Sequence, residues 1–185
     1  HFNYIPTYTA VGHSAIYTGS TPSVNGIIGN NWYDKKAKKS IYCVDDDTYQ
    51  TVGGEWGGNK SPARLLTTTV TDELQLTQMN RGKVISISLK DRSAILPGGH
   101  TATAAYWFED HFITGTYYMN ELPKWVESFN KKDYAQKYLK GKWDTMYPIK
   151  QYTESIEDEN DFEQPYAGME KAIFPYDLKS LQVEN

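Results

Sequence analysis

The segment "GKVISISLKDRSAI", residues 82–95, constrains the fold more than any other part of this chain. Its β-branched and apolar residues predict a strand over Val84 to Leu89 that is buried on both faces. A helix is predicted before it, over Val70 to Met79, with only a short turn between the two. A helix, a short turn and a buried strand are typical of an α/β protein. We therefore predict an α/β fold with a central, mostly parallel sheet flanked by helices.

Two hairpins and four further helices are predicted around that sheet. One hairpin lies within 31–52 and turns at the basic run "KKAKK"; the other, within 104–119, turns near Glu109-Asp110, so the fold includes a hairpin-rich insert. The first helix is predicted over 9–18, with Thr9 as its N-cap and Gly19 ending it. The other three are predicted from Ser61-Pro62 onward, over 120–132 and over 133–139.

Composition excludes several classes of protein. The chain has 19 Lys and Arg against 23 Asp and Glu, which argues against a nucleic-acid binder with a broad basic face. Its single cysteine, Cys43, excludes an internal disulfide and a zinc site built from several cysteines. No apolar run approaches the roughly 18 residues that a membrane span needs. The chain begins with His1 rather than Met, so we expect that a leader was removed or that the chain is part of something longer.

Lys90 and Arg92 follow directly after the predicted strand. Ligands in open α/β sheets bind at the carboxyl ends of strands, and two residues that are two apart in extended chain point the same way. Both side chains are therefore candidates to bind one anion, Arg92 through its bidentate fork and Lys90 as a point charge. The alternative is an ordinary pair of solvated charges with Asp91 as a local partner.

Thr9 has two interpretations, a helix cap or a nucleophile. The N–H groups and the dipole of the helix would lower the cost of an alkoxide there, but the hydroxyl would also need a metal or a base. Asn30 lies in a glycine-flanked turn, where its amide is either a turn residue or a donor to a phosphoryl oxygen. No histidine or carboxylate pair has the spacing of a self-sufficient metal site, and no G-x-S-x-G or P-loop is present.

The stretch "TAVGHSAIYTGSTPSVNGIIGNNWYD", residues 9–34, resembles the nucleophile region of the alkaline phosphatase superfamily. The likeness is to the branch of the type I phosphodiesterases and nucleotide pyrophosphatases. The matching positions are Thr9, His13, Thr18-Gly19, Pro22, Gly26-Ile27 and Asn30. The stretches "SLKDRSAILPGGHTATAAYWFED" and "GTYYMNELPKWVESFN" resemble the phosphate-irrepressible alkaline phosphatases, which are monoesterases of that branch and have a K-x-R pair like Lys90 and Arg92.

The resemblance implies a role for each of four residues. Thr9 would be the nucleophile, would form a phosphothreonine intermediate and would contact one zinc ion, while Asn30, Lys90 and Arg92 would bind the phosphoryl group. The family uses two zinc ions about 4 Å apart. Its other zinc ligands have no counterpart here, and we do not assign Asp110-His111 because it falls in a predicted hairpin turn. We therefore expect an internal fragment that is inactive by itself and binds no zinc tightly.

On this interpretation residues 1–150 are part of an alkaline-phosphatase-like catalytic domain, and residues 151–185 are its acidic, loop-rich continuation. The expected activity is hydrolysis of small phosphate monoesters, with no nucleic-acid or membrane partner, in a periplasmic or secreted bacterial protein. The oligomeric state stays open. Two alternatives remain: a phosphodiesterase or nucleotide pyrophosphatase of the same superfamily, and a non-catalytic binding domain that lost its metals.

Overall fold

The computed structural model describes residues 3–166 and 168–180. These described residues fall into two compact units, which meet in the sequence between residues 130 and 131. The first unit contains α1 (Thr9–Thr18), α2 (Pro22–Asn25), β1 (Asn31–Asp34), β2 (Lys39–Tyr42), β3 (Thr51–Val52), α3 (Val70–Thr77), β4 (Ile85–Ser88), α4 (Asp91–Gly98), β5 (Ala104–Phe108), β6 (Phe112–Gly115) and α5 (Lys124–Asn130). The second contains α6 (Tyr134–Tyr138), β7 (Lys142–Trp143), a 3-10 turn (Ile149–Gln151) and β8 (Tyr176–Asp177). The functional boundary at residue 150 stays a prediction.

The central sheet of the first unit has the strand order β3–β6–β5–β4. β4 and β5 are parallel and are connected through α4, whereas β5 with β6 and β6 with β3 are antiparallel. The α/β class is therefore confirmed. The prediction of a mostly parallel sheet is wrong, because among the described strands of this sheet only the β4–β5 pair is parallel, and the hairpin β5–β6 adds antiparallel pairs. The predicted hairpins are also present, one as β1–β2 with its basic turn and one as β5–β6.

The side chains of β5 alternate between two cores, as the period of two in a strand requires. Ala105 and Trp107 belong to the larger core, which they share with Ala10 of α1 and Ile95 of α4. Ala104 and Tyr106 point to the opposite face, where Val126 of α5 covers them. The sheet is therefore covered by helices on both faces, and α1 and α4 pack together on one of them.

Two local predictions are wrong. β4 is not buried on both faces, since Ile85 is 50% exposed and Ile87 is 56% exposed. Among the described residues it pairs only with β5, so it is an edge strand whose isoleucines share one open face. No helix begins at Ser61-Pro62 in this part of the chain. The N–H of Ser61 donates to the carbonyl of Val44 and that of Leu66 donates to the carbonyl of Asn25, so the first and last of these backbone donors bind other parts of the chain rather than a helical acceptor.

The remaining helix predictions are confirmed to within a few residues. α3, α5 and α6 occupy the predicted places, and the side chain of Asp133 caps α6 by accepting from the backbone N–H of Gln136. α3 begins with a capping box in which the hydroxyl of Thr69 accepts from the N–H of Asp72 and the carboxylate of Asp72 accepts from the N–H of Thr69.

Candidate active site

The first part of the candidate site is the N-terminal end of α1. Tyr8, with extended backbone, is the N-cap, and Thr9 is the first helical residue. The prediction that Thr9 is the N-cap is therefore wrong by one position, because the N–H of Gly12 donates to the carbonyl of Tyr8 at 2.9 Å. Thr9 is exposed, and the first N–H groups of the helix have no helical acceptor. An exposed hydroxyl beside these donors is a favourable place for an anionic group.

Asn30 lies at this same helix end, although it is far from it in sequence. Its side-chain Oδ1 accepts a hydrogen bond of 2.9 Å from the backbone N–H of Ala10. Because the oxygen makes this bond, the NH₂ group is the part of the amide that is left to donate to a ligand. The backbone of Asn30 is held by the N–H of Cys43, which donates to its carbonyl at 2.9 Å. The structure therefore brings Thr9 and Asn30 together.

Asn25 fixes the loop between these two residues, and sequence analysis did not single it out. It is fully buried, its Nδ2 donates to the carbonyl of Ser20 at 3.0 Å, and its Oδ1 accepts from the N–H of Ile27 at 3.0 Å. Gly26 follows with a positive φ of 83°, a conformation that favours glycine. The pattern N-G between helix and strand was the available signal for this turn.

The second part of the candidate site is the N-terminal end of α4. Lys90 is the N-cap of this helix and Arg92 is the second residue within it. The two side chains therefore do not point the same way from an extended chain, as predicted, because residues two apart at the start of a helix do not face each other. Lys90 is exposed, and the side chain of Arg92 is only 20% exposed.

The helix that carries Arg92, α4, packs against α1. Burial, together with the positive charge of Arg92, lowers the pKa of His13, which is one turn beyond Thr9 on α1. Burial and the charge of Asp91 raise the pKa of Glu109, and the charges of Lys90 and Lys60 oppose that rise. Each of the two cations thus shifts the pKa of a different titratable group.

The guanidinium of Arg92 is held by a short hydrogen-bond chain. Its Nη1 donates to the hydroxyl of Tyr42 at 2.7 Å, and that hydroxyl donates to Oδ1 of Asp91 at 2.6 Å. Burial and the hydrogen bond to Asp91 raise the pKa of Tyr42 well above its ordinary value. Lys60 completes the group, with Nζ at 3.8 Å from Oδ2 of Asp91 and at 2.5 Å from Oδ1 of Asp45.

This group of residues changes the interpretation of Asp91. Its carboxylate is 4.0 Å from Nη1 of Arg92, so the predicted local partner exists. The charges are nevertheless not simply solvated, because Asp91 also contacts Tyr42 and Lys60 from distant segments. Sequence analysis missed both residues. The only signal for them was Asp91 itself, a carboxylate between two cations.

The three histidines that the structure describes do not converge on a metal site. His13 lies on α1, His100 contacts Asp72 at 3.3 Å and the carbonyl of Leu65 at 2.9 Å, and Nε2 of His111 contacts the carbonyl of Gly53. Within residues 3–166 and 168–180 no group of three or more His, Cys, Asp or Glu residues could hold a metal ion. Over the same residues, no helix has the length and apolar character needed to cross a membrane.

Comparison with known proteins shows the family of this chain. The family model for type I phosphodiesterases/nucleotide pyrophosphatases matches residues 1–173. The chain belongs to that family. Alkaline phosphatase PhoV of Synechococcus elongatus is 50% identical over 98% of this chain and 34% of its own length. Alkaline phosphatase PafA of Elizabethkingia meningoseptica is 49% identical over 95% of this chain and 33% of its own length.

The solved structures agree with the family assignment. The crystal structure of wild-type PafA superimposes with a TM-score of 0.93 at 48% identity, covering 97% of this chain and 36% of that one. A PafA variant with one threonine, one asparagine, one lysine and one arginine substituted superimposes equally well, also with a TM-score of 0.93. The chain spans about a third of the length of the curated relatives that it matches.

Proposed function

We propose that this chain is part of a zinc-dependent phosphate monoester hydrolase that acts through a phosphothreonine intermediate on Thr9. The supporting observation is the contact between Asn30 and the N-terminal end of α1. An amide donor and helix N–H groups that have no helical acceptor thus lie beside an exposed threonine hydroxyl. Donors arranged in this way stabilise the negative charge that develops on a transferring phosphoryl group.

The similarity to the substituted PafA variant supports the choice of residues. In that variant the threonine and asparagine are 21 positions apart, and the lysine and arginine are two positions apart. Thr9 and Asn30 are also 21 positions apart, and Lys90 and Arg92 are two apart. The same four residue types therefore occur here in the same order, with both short spacings preserved.

In the proposed reaction, Oγ of Thr9 attacks phosphorus in line with the leaving group. The Oγ–P bond forms as the bond to the leaving oxygen breaks, and the threonine loses its proton while the departing alcohol gains one. Asn30 and the backbone N–H groups near Thr9 bind one nonbridging oxygen, and Lys90 and Arg92 bind the others. Water then cleaves the phosphothreonine, which releases inorganic phosphate and restores Thr9.

The two zinc ions implied by the resemblance belong to the proposal for the longer protein. The described residues contain no ligand cluster for them, so we propose that their other ligands lie outside the described residues and that Thr9 contacts one of the two ions. For this reason we propose that the chain alone is inactive. We also propose that the longer protein is a periplasmic or secreted bacterial enzyme that acts on small phosphomonoesters.

The proposal is tested by trapping the intermediate on the full-length protein. Acid quenching during turnover of an aryl phosphate monoester, followed by peptide mass spectrometry, should show a phosphate mass on the peptide that contains Thr9. The Thr9→Val variant, which lacks the hydroxyl at nearly the same volume, should show none. Phosphate on any other residue would contradict the assignment.

The second candidate, a phosphodiesterase or nucleotide pyrophosphatase, is favoured by the description of the family model. A relative from Myroides odoratus, 48% identical over 99% of this chain, is named a calcium-transporting ATPase, so a phosphoanhydride substrate deserves a direct comparison. The values of kcat/KM for an aryl monoester, an aryl diester and ATP separate these candidates. A monoester-to-diester ratio near or below one would favour the second candidate, and binding of phosphate without turnover of any substrate would favour a non-catalytic domain.

A further inference from the structure

We propose that Tyr42 is a positioning residue that orients the Arg92 guanidinium toward the transferring phosphoryl group. This inference rests on the proposed function, since it assigns a role to a residue behind the anion-binding side chain. Tyr42 is the last residue of β2 and reaches Arg92 from 50 positions away in the sequence. No motif of the chain points to it.

The chemistry of the three groups fixes the direction of the hydrogen-bond chain. A guanidinium only donates, and an ionised carboxylate only accepts, so the hydroxyl between them must accept from Arg92 and donate to Asp91. Both bonds are short, at 2.7 and 2.6 Å, as expected when a charged group takes part. The hydroxyl therefore has one stable orientation, and it holds Nη1 of Arg92 in one place.

The far end of the chain is itself held in place. Oδ1 of Asp91 also accepts from the backbone N–H of Arg92 at 2.6 Å, and Asp91 lies in the first turn of α4, where a carboxylate is favoured. The ammonium of Lys60 lies 5.2 Å from the centre of the Tyr42 ring and 3.8 Å from Oδ2 of Asp91. Tyr42 is therefore held through both its ring and its hydroxyl.

Arg92 retains donors that the protein does not use. Its Nε is buried and has no hydrogen-bond partner among the described residues. A buried donor without a partner is costly, and an anion that accepts from the guanidinium would offset that cost. With Nη1 bound to Tyr42 and the plane of the fork thereby set, the other N–H groups remain for oxygens of a phosphoryl group.

The test is a double-mutant cycle on the full-length protein, with kcat/KM for an aryl phosphate monoester as the readout. Tyr42→Phe should lower kcat/KM by about tenfold or more, the range expected when a hydrogen bond to a charged group is lost. In the Arg92→Ala background the same change should have less than about a twofold effect, since its action passes through Arg92. An equal effect of Tyr42→Phe in both backgrounds would overturn the proposal.

Tyr118→Phe is the matched control. Tyr118 is a partly buried tyrosine that packs against the same core as Tyr42, but its buried hydroxyl has no hydrogen-bond partner among the residues described. Removal of that hydroxyl should change kcat/KM by less than about twofold. A loss equal to that of Tyr42→Phe would mean that any tyrosine hydroxyl near this core matters, which contradicts a specific role.

Asp91→Asn is the second variant, in case Tyr42→Phe does not fold. It keeps the side-chain shape but weakens the acceptor, so it should lower kcat/KM by a smaller factor, again only when Arg92 is present.

The proposed function and the positioning role of Tyr42 fail in different ways. Full monoesterase activity of Arg92→Ala would remove the basis of both, whereas a large loss in Arg92→Ala with an unaffected Tyr42→Phe would refute only the positioning role.

Discussion

The two helix ends of the candidate site are built differently. At α1 the groups beside Thr9 are uncharged: backbone N–H donors and the Asn30 amide, which is bound to Ala10. At α4 the anion-binding candidates are cations, and Arg92 is embedded in a network of Tyr42, Asp91 and Lys60. The first arrangement depends on backbone geometry. The second depends on charges that neighbouring groups partly compensate, so the orientation of the Arg92 side chain requires partners from distant segments.

The sharpest test of the α1 end is removal of the nucleophile. In the full-length protein, Thr9→Ala should reduce kcat for a phosphate monoester by about a thousandfold or more, as removal of an essential nucleophile does. Because Thr9 is exposed and supplies no cap, the free energy of unfolding should change by less than about 0.5 kcal/mol. Steady-state kinetics and urea unfolding measure the two effects, and unimpaired turnover would rule out Thr9 as nucleophile.

Arg92→Ala tests the cationic end. Because a monoester places more negative charge on the transferring group than a diester does, kcat/KM for the monoester should fall by about a hundredfold and that for the diester by much less. Lys90→Ala, the neighbouring exposed cation, serves as a comparison within the same helix end. Equal losses for the two substrates would argue against a phosphoryl-binding role for Arg92.

Asn30→Asp separates the two functions of the Asn30 amide. The aspartate keeps an oxygen that accepts from the N–H of Ala10, so stability should stay within about 1 kcal/mol of the parent. It loses the NH₂ donor and adds a negative charge beside the substrate, so kcat/KM should fall by at least about tenfold. Asn30→Ala should lower stability as well. A fully active Asn30→Asp would show that the NH₂ group does not bind the substrate.

The hydrogen bonds of Asp72, a residue of α3 that binds Thr101 in the loop after α4, provide a region where only stability should respond. Asp72 is buried; burial raises the pKa of its carboxyl, but hydrogen bonds from Thr69 and Thr101 outweigh this and lower the pKa below its ordinary value of 3.8. The stabilisation is therefore complete above the ordinary pKa and is lost as the pH falls through the lower folded value. Urea unfolding should show that Asp72→Asn lowers the free energy of unfolding by about 2 kcal/mol near neutral pH. The stability of this variant should also fall less steeply than that of the parent when the pH is lowered.

The ratio of monoester to diester turnover should not change in Asp72→Asn. If the ratio does change, the contribution of α4 to substrate binding is not confined to its first turn. If Asp72→Asn instead keeps the full free energy of unfolding at neutral pH, water replaces the hydrogen bonds of Asp72 without loss of stability.

Local patterns predicted much of the fold. The helix over residues 9–18 and its end at Gly19, which adopts a positive φ of 65°, follow from short-range propensity and glycine geometry. The hairpins follow from alternation and turn residues. The exposure of Ile85 and Ile87 in β4 could not be predicted in this way. The same apolar sequence is compatible with a strand that has one neighbour and with a strand that has two. The number of neighbours is a property of the sheet.

The sequence by itself determined the family and the order of Thr9, Asn30, Lys90 and Arg92, since these are statements about residue types at fixed spacings. Only the tertiary structure decided that Thr9 is the first helical residue, that Lys90 and Arg92 start a helix, and that Tyr42 holds Arg92. The physical reason is range. Helix and turn propensities act over a few residues, whereas a buried hydrogen bond joins whichever donors and acceptors the packed chain brings within 3 Å.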